Sequence, residues 1–229
     1  MSEGTPEGGR QTKKTVRILI VDDHPIVREG LAARIGRQGD LQVCGEAEDV
    51  AGALELVKTA KPDLVIVDLS LKSGQGLDLI KKISLRAPDT KMLVSSMYDE
   101  SLYAERALRA GALGYINKQE MSDKIIDAIR HVMEGKIFLS PRMTERLLQR
   151  AVGTTPQITP SPVESLSDRE LEIFKMIGKG KTTRQIAGEL HLSVKTVETQ
   201  RENIKGKLSL TSSAELSREA VQWVMENGA

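Results

Sequence analysis

The sequence predicts an α/β protein, a doubly wound five-stranded parallel sheet, followed by a small all-α unit. Three observations carry this. Short apolar, β-rich runs alternate with amphipathic helical stretches from Val16 to about Met133. The runs are near-continuous in Val, Ile and Leu, as parallel strands covered on both faces are. Beyond residue 166 only helical spacing remains.

The strand-like runs are "VRILIV" (16–21), "LQVCGEA" (41–47), "DLVIVDL" (63–69), "KMLVSSM" (91–97) and "GYIN" (114–117). Between them lie helical segments. "PIVREGLAARI" is read with Ile26, Leu31 and Ile35 on its apolar face, and "DVAGALELVKTA" with Val50, Leu54 and Val57. "GLDLIKKISLRA", "ESLYAERALRA" and "MSDKIIDAIRHVME" follow, with breaks at Gly39, Lys61-Pro62, Ala87-Pro88 and Ala110-Gly111. Five strands alternating with five helices demand crossover connections, hence a parallel sheet with helices on both faces.

Ser140-Pro141 then reads as an N-cap followed by a first-turn proline, starting a helix in "RMTERLLQRA". "VGTTPQITPSPVES" (152–165) has no periodicity and reads as a linker. "SDRE" (167–170) is a capping box before "LEIFKMI", and Gly178 and Gly180 end that helix. "TTRQIAGEL", the tight turn "HLS" and "VKTVETQRENIKGKL", capped by Ser193, form a helix-turn-helix pattern. "SSAELSREAVQWVMENG" is a last helix closed by Gly228. The expected division is a disordered tail (1–14), an α/β domain (15–135), a helix and flexible linker (136–165), and the helix-turn-helix domain (166–229).

Composition narrows the class. The 229 residues are 39% hydrophobic and 28% charged, ordinary for a globular protein, and the net charge of +1 names no partner. One cysteine, Cys44, allows no internal disulfide and fits a reducing cytoplasm. No apolar run approaches the ~18 residues of a membrane span. The polar start lacks a signal-peptide core.

Chemistry gathers at the strand ends. Ligands of an open parallel sheet bind beyond the carboxyl ends of its strands. There stand Asp22-Asp23 after the first strand, Asp68 after the third, Ser95-Ser96 at the fourth and Lys118 after the fifth. Unit charges ~4 Å apart repel by about 4 kcal/mol even at an effective dielectric of ~20. Three ionised aspartates therefore need a cation. Lys118 is one, and a hard divalent ion with oxygen ligands, Mg²⁺, is the other. A lone carboxylate at a strand end is ordinarily only solvated; the joint placement of five groups points to phosphoryl transfer onto a carboxylate, with cations neutralising the phosphoryl oxygens.

With Asp22-Asp23, Asp68, Ser96 before "MYDE" and Lys118 after "GYIN", the first domain resembles the flavodoxin-like receiver domain of two-component response regulators. "LRAGALGYINK" and "LSDRELEIFKMIGKGKTTRQIAGELHLSVKTVETQRENIKGKL" resemble the NarL/FixJ subfamily with its LuxR-type DNA-binding domain. The resemblance implies that Asp68 accepts a phosphoryl group from a sensor histidine kinase. It implies that Asp23, Asp68 and the Ser70 carbonyl bind Mg²⁺ directly, with Asp22 acting through water. Lys118 and Ser96 would contact the phosphoryl group, and Tyr115 would follow as an aromatic switch. It further implies a homodimer formed on phosphorylation, binding double-stranded promoter DNA. Two departures are Leu71-Lys72, where many receivers have Met-Pro, and Gln119, where Pro is common.

In the family pattern Val194, Val197, Ile204 and Leu208 pack the core. Lys195, Thr196, Glu198, Thr199, Arg201 and Glu202 would face DNA, Lys205 would touch phosphate, and Thr182, Thr183 and Arg184 would sit near the backbone. Glu198 stands where the family often has Lys, and Gln200 where it has His. Glu198 and Glu202 either read bases or pair with Arg201 and Lys205 along the helix. Leu216, Ala220, Trp223 and Val224 resemble a dimerisation helix, with Trp223 as plain core the competing reading. The rivals at the level of function are a phosphorylation-independent regulator or protein-interaction module of the same fold, and an aspartate-nucleophile phosphatase. The last would need a substrate cap or a second catalytic acid close to the nucleophile, and "DLSLKS" has none.

Overall fold

In the computed structural model, which describes residues 15–71, 75–152 and 162–227, the first unit is β1 (Val16–Val21), α1 (Pro25–Gly36), β2 (Leu41–Ala47), α2 (Val50–Ala60), β3 (Leu64–Val67), α3 (Gly76–Arg86), β4 (Lys91–Ser96), α4 (Glu100–Ala110), β5 (Gly114–Asn117) and α5 (Met121–Met133). The strands form one parallel sheet in the order β2-β1-β3-β4-β5. The order reverses direction at β1/β3, and a doubly wound sheet opens its crevice there.

Strand alternation divides the core into two layers. Ile18, Ile20, Leu64, Ile66, Leu93 and Ile116 face Leu31 and Ile35 of α1 and Ile125 and Ile129 of α5. Leu19, Val21, Val65, Val67, Val94 and Tyr115 face α2, α3 and α4. β2 is one edge of the sheet, and only Leu41 and Ala47 of it are buried. Ile26 departs from the sequence reading: it is 82% exposed. At 3.6 residues per turn it lies about 140° round α1 from Leu31, so it shares no face with the pair that packs.

α6 (Pro141–Val152) starts as expected, with the Ser140 Oγ accepting the Met143 amide at 3.2 Å. Part of the expected linker is ordered. Pro162–Ser165 forms a turn of 3-10 helix, with Val163 buried and Glu164 paired to Arg146 and Arg150 of α6. The signal was missed because two arginines one helical turn apart make a site only when a carboxylate is folded back onto them. The expected tail, the middle of the linker, Lys72 and the Gly228 stop lie outside the described residues.

α7 (Asp168–Gly178), α8 (Thr183–Glu189), α9 (Val194–Leu208) and α10 (Ser213–Asn227) complete the chain. The Ser167/Glu170 capping box starts α7, and a second one, Thr182/Gln185, starts α8. Phe174, Ile177, Leu216, Ala220 and Trp223 are buried where α7 meets α10. Trp223 lies 5.9 Å from Phe174 and is core. With Leu216, Ala220 and Trp223 turned inward and Val224 packed against the same cluster, the large apolar residues that α10 exposes are Val221 and Met225. Val194 also departs from expectation, being 42% exposed. Helical side chains lean toward the N-terminus, so at the first position of α9 it points off the end of the helix.

Gly76 is required by a close approach. A Cβ there would stand 2.3 Å from the Asp68 carbonyl oxygen. Gly76→Ala is expected to cost about 1–3 kcal/mol of stability, the usual range for overpacking, measured by urea unfolding. Because the atom it strikes is the backbone of Asp68, the end of β3 should shift with it.

Candidate functional site

Two backbone bonds assemble the site. The Asp68 amide donates to the Val21 carbonyl at 2.8 Å, fixing the end of β3 beside the end of β1. The Lys118 amide donates to the Ser96 carbonyl at 2.9 Å, fixing β5 beside β4. The crevice so formed brings Asp22, Asp23, Asp68, Ser96 and Lys118 together, as the sequence reading requires. The three aspartates are 2%, 8% and 1% exposed, and Ser96 is fully buried.

Lys118 Nζ lies 2.6 Å from Asp22 Oδ2 and 2.8 Å from Asp68 Oδ2. Burial works against its charge, yet the two carboxylates hold its pKa above the usual lysine value. Burial pushes the Asp68 carboxyl up; the Lys118 ammonium opposes that shift and the Asp22 charge adds to it. One ammonium against three carboxylates leaves the crevice short of positive charge.

His24 is the member the sequence reading missed. Its amide donates to Asp22 Oδ1 at 2.9 Å, and its Nδ1 lies 3.1 Å from the same oxygen and 2.7 Å from Asp23 Oδ1. Asp22, Asp23, His24 and Asp68 each place one ligand atom within 4.8 Å of the others. Only the position of His24, directly after the acidic pair, pointed to it.

Among the described residues Asp68 Oδ1 is buried and accepts no hydrogen bond, and Asp23 Oδ1, equally buried, has only the exposed His24 ring nitrogen against it, at 2.7 Å. Buried carboxylate oxygens without partners are rare and costly, and hard oxygen donors of this kind suit a divalent cation. The residues therefore fit the expected metal. Ser70 lies half-buried on the wall of a cleft of about 580 Å³ that opens beside Asp68.

Ser96 and Tyr115 meet at one residue. Ser96 Oγ accepts the Tyr98 amide at 3.2 Å, and the Tyr115 hydroxyl donates to the Tyr98 carbonyl at 2.8 Å. Tyr115 is 1% exposed, and burial pushes its hydroxyl pKa well up.

On the helix-turn-helix, His191 takes a left-handed turn (φ 51°) between α8 and α9, and Ser193 Oγ accepts the Thr196 amide at 3.0 Å. Lys195, Thr196, Glu198, Thr199 and Glu202 are exposed along α9, with Arg201 and Lys205 half-buried beside them. Thr182 and Arg184 are exposed and Thr183 half-buried at the start of α8. The two readings of the glutamates divide. Glu202 pairs with Lys205 at 2.9 Å, whereas Glu198 has no ion pair among the described residues. The receiver-like unit holds α7 and the turn before it, but the outer face of α9 stays exposed.

An aspartate-lined switch-point crevice joined to a helix-turn-helix defines a class: a phospho-acceptor module coupled to a nucleic-acid reader. Residues 18–130 match the response regulator receiver domain, and residues 164–220 match the luxR family of bacterial regulatory proteins. The chain is 40% identical over 211 residues to the oxygen regulatory protein NreC of Staphylococcus carnosus, covering 90% of this chain and 97% of that protein. It is 36% identical over 214 residues to the response regulator GacA of Pseudomonas aeruginosa, covering 93% and 99%. This chain belongs to the response regulators that join a receiver to a LuxR-type domain. Among solved structures it resembles a LuxR-family two-component response regulator from Aurantimonas (33% identity, TM-score 0.56, 61% of this chain and 99% of that one). Its fold also matches RcsB from Salmonella enterica bound to a promoter with the phosphomimetic BeF3⁻ (24% identity, TM-score 0.69, 90% and 98%). No helix of the described residues is long and apolar enough to cross a membrane.

Because burial raises the Asp68 pKa, its contribution to stability is fully present below the unfolded value of about 4 and is lost as pH rises through the folded value. In metal-free buffer Asp68→Asn is therefore expected to have a higher Tm than the wild type at pH 7. The advantage should shrink towards pH 4, as followed by thermal unfolding in chelator. An Asn variant of equal or lower Tm at pH 7 would mean that the Lys118 pairing outweighs desolvation.

Proposed function

We propose that this chain is a cytoplasmic, DNA-binding transcription regulator switched by phosphorylation of Asp68, the phosphoryl group coming from a sensor histidine kinase. The observation that carries the reading is the gathering of three buried carboxylates, Asp22, Asp23 and Asp68, around the single ammonium of Lys118 and beside Ser96, with Asp68 Oδ1 accepting no hydrogen bond among the described residues. Asp68 Oδ1 is the nucleophile. Its bond to phosphorus forms as the phosphorus–nitrogen bond to the kinase imidazole breaks, and the leaving imidazole keeps the electron pair and takes up a proton. Lys118, already on Asp68 Oδ2, stays against the phosphoryl oxygens and offsets their charge. Mg²⁺, held by Asp23, Asp68 and the Ser70 carbonyl with Asp22 behind them, would supply the remaining neutralising charge. Ser96 Oγ turns from the Tyr98 amide to a phosphoryl oxygen, and the Tyr115 ring follows.

Phosphorylation replaces the single carboxylate charge by a phosphoryl group carrying about two, a net gain of about one negative charge together with three acceptor oxygens at one buried point, enough to bias a two-state element. The α9 face carrying Lys195, Thr196, Glu198, Thr199 and Arg201 reads a duplex, with Lys205 and the start of α8 on phosphates. Two copies of so modest a basic footprint bind paired half-sites.

Selection of random duplexes with the full chain, with and without Mg²⁺ and beryllofluoride, is expected to enrich a roughly palindromic site mainly in their presence. The same site in both conditions would mean that the receiver does not gate DNA binding; no site in either would favour an interaction module. Asp68→Asn is expected to take up no phosphoryl group from a phosphodonor, and labelling at the wild-type level would remove Asp68 from its role. Lys205→Ala should weaken binding to all duplexes alike and lower the slope of log affinity against log salt by about 1, read from titrations at several salt concentrations.

A further inference from the structure

We propose that Lys175, a residue of the LuxR-type unit, is a positioning residue for the phospho-acceptor site: seated on Tyr98, it holds Ser96 and Tyr115 in their unphosphorylated places. This rests on the reading of Asp68 as phospho-acceptor and adds the route by which the second unit is coupled to it.

Tyr98 is tied through both its backbone amide and its carbonyl to the two groups that must move. Its amide donates to Ser96 Oγ at 3.2 Å, and its carbonyl accepts the Tyr115 hydroxyl at 2.8 Å. Its ring stacks on Tyr103 with centroids 4.9 Å apart, and Lys175 Nζ of α7 sits 3.1 Å from its ring centroid. Four groups therefore form one contiguous chain from the phospho-acceptor crevice to the helix that packs on α9 and α10.

Lys175 is 8% exposed and has no carboxylate at ion-pair distance among the described residues. The faces of Tyr98 and Tyr103 are what it has in place of water. Burial, with the neighbouring Lys179 charge, pulls its ammonium down to about 7. Such a contact is easily surrendered, since leaving it restores hydration.

A second anchor is independent of the site. Arg106 donates to Asp168 at 3.0 Å and to the Glu164 and Leu166 carbonyls at 3.2 and 2.6 Å, and Lys81 meets Asp168 at 2.7 Å. The start of α7 stays pinned while its middle is released, so α7 turns rather than detaches. That suits a recognition face already exposed: the switch reorients α9 instead of uncovering it.

Coupling is reciprocal. If capture of Ser96 by a phosphoryl group loosens Lys175, loss of Lys175 must ease that capture. Lys175→Met in the full chain is expected to bind beryllofluoride in saturating Mg²⁺ roughly three- to thirtyfold more tightly than the wild type, the range from a partly to a fully desolvated cation–π contact, measured by titration calorimetry. Lys175→Arg, which keeps a cation over the ring, should bind as the wild type does. Tyr98→Leu should match Lys175→Met and Tyr98→Phe should not, so the proposal does not hang on one variant folding. Affinity unchanged in Lys175→Met overturns the proposal. Weaker binding also overturns it, because the ammonium would then merely attract the anion. A wild type without saturable beryllofluoride binding overturns the Asp68 reading as well, whereas saturable binding indifferent to residues 98 and 175 removes the coupling alone.

Discussion

Three carboxylates buried around one ammonium are the constraint on which the receiver-like unit depends. Asp22, Asp23 and Asp68 are all nearly inaccessible, and Lys118 reaches two of them. Buried charges in such surplus are tolerated only where rigid backbone holds them, because any relaxation that admitted water would be favourable. The rigidity comes from the central strands. β3 is buried along its length, and its end is bonded to the end of β1. Gly76 presses against the Asp68 backbone from the far side. The core is thus the support that keeps an unfavourable cluster poised for a cation and a phosphoryl group.

The same economy explains how the two halves communicate. Apolar packing is continuous from the α3/α4 layer into the helices after residue 162. At the junction the polar contacts are of two kinds. Arg106 and Lys81 meet Asp168 as ordinary charge pairs, and burial's upward pull on the Asp168 carboxyl is overcome by these two cations, which hold it below its usual range. Lys175 instead meets aromatic faces and stays a poorly compensated charge. A junction with one secure contact and one marginal contact can turn under a change of a few kcal/mol, the scale a phosphoryl charge supplies.

Much of this was legible in the residues. β1, β2 and β5 run over the expected residues, β3 and β4 lie within theirs, and both Ser140 and Ser193 cap as read. Strand-end aspartates, the serine and the lysine converge because parallel strands all point their carboxyl ends the same way. The misreadings are of position, not of kind. Ile26 and Val194 are apolar residues at helix starts, where periodicity continues but no neighbour covers them. Leu216, Ala220 and Trp223 do form an apolar stripe, yet α7 takes it, leaving Val221 and Met225 outside.

What the sequence determined by itself was whatever depends on neighbours along the chain: the alternation of strands and helices, the caps, and the carboxylates at strand ends. These follow from local periodicity and from topology, which brings them to one edge whatever the details. The tertiary structure alone decided that Asp68 Oδ1 has no donor among the described residues, that the His24 ring turns onto the aspartates, that Glu164 folds back on Arg146 and Arg150, and that Lys175 lies on Tyr98. Apart from His24, which neighbours two of the aspartates along the chain, those contacts join residues from different elements at ångström distances. Their energies come from desolvation and orientation, which no one-dimensional pattern records.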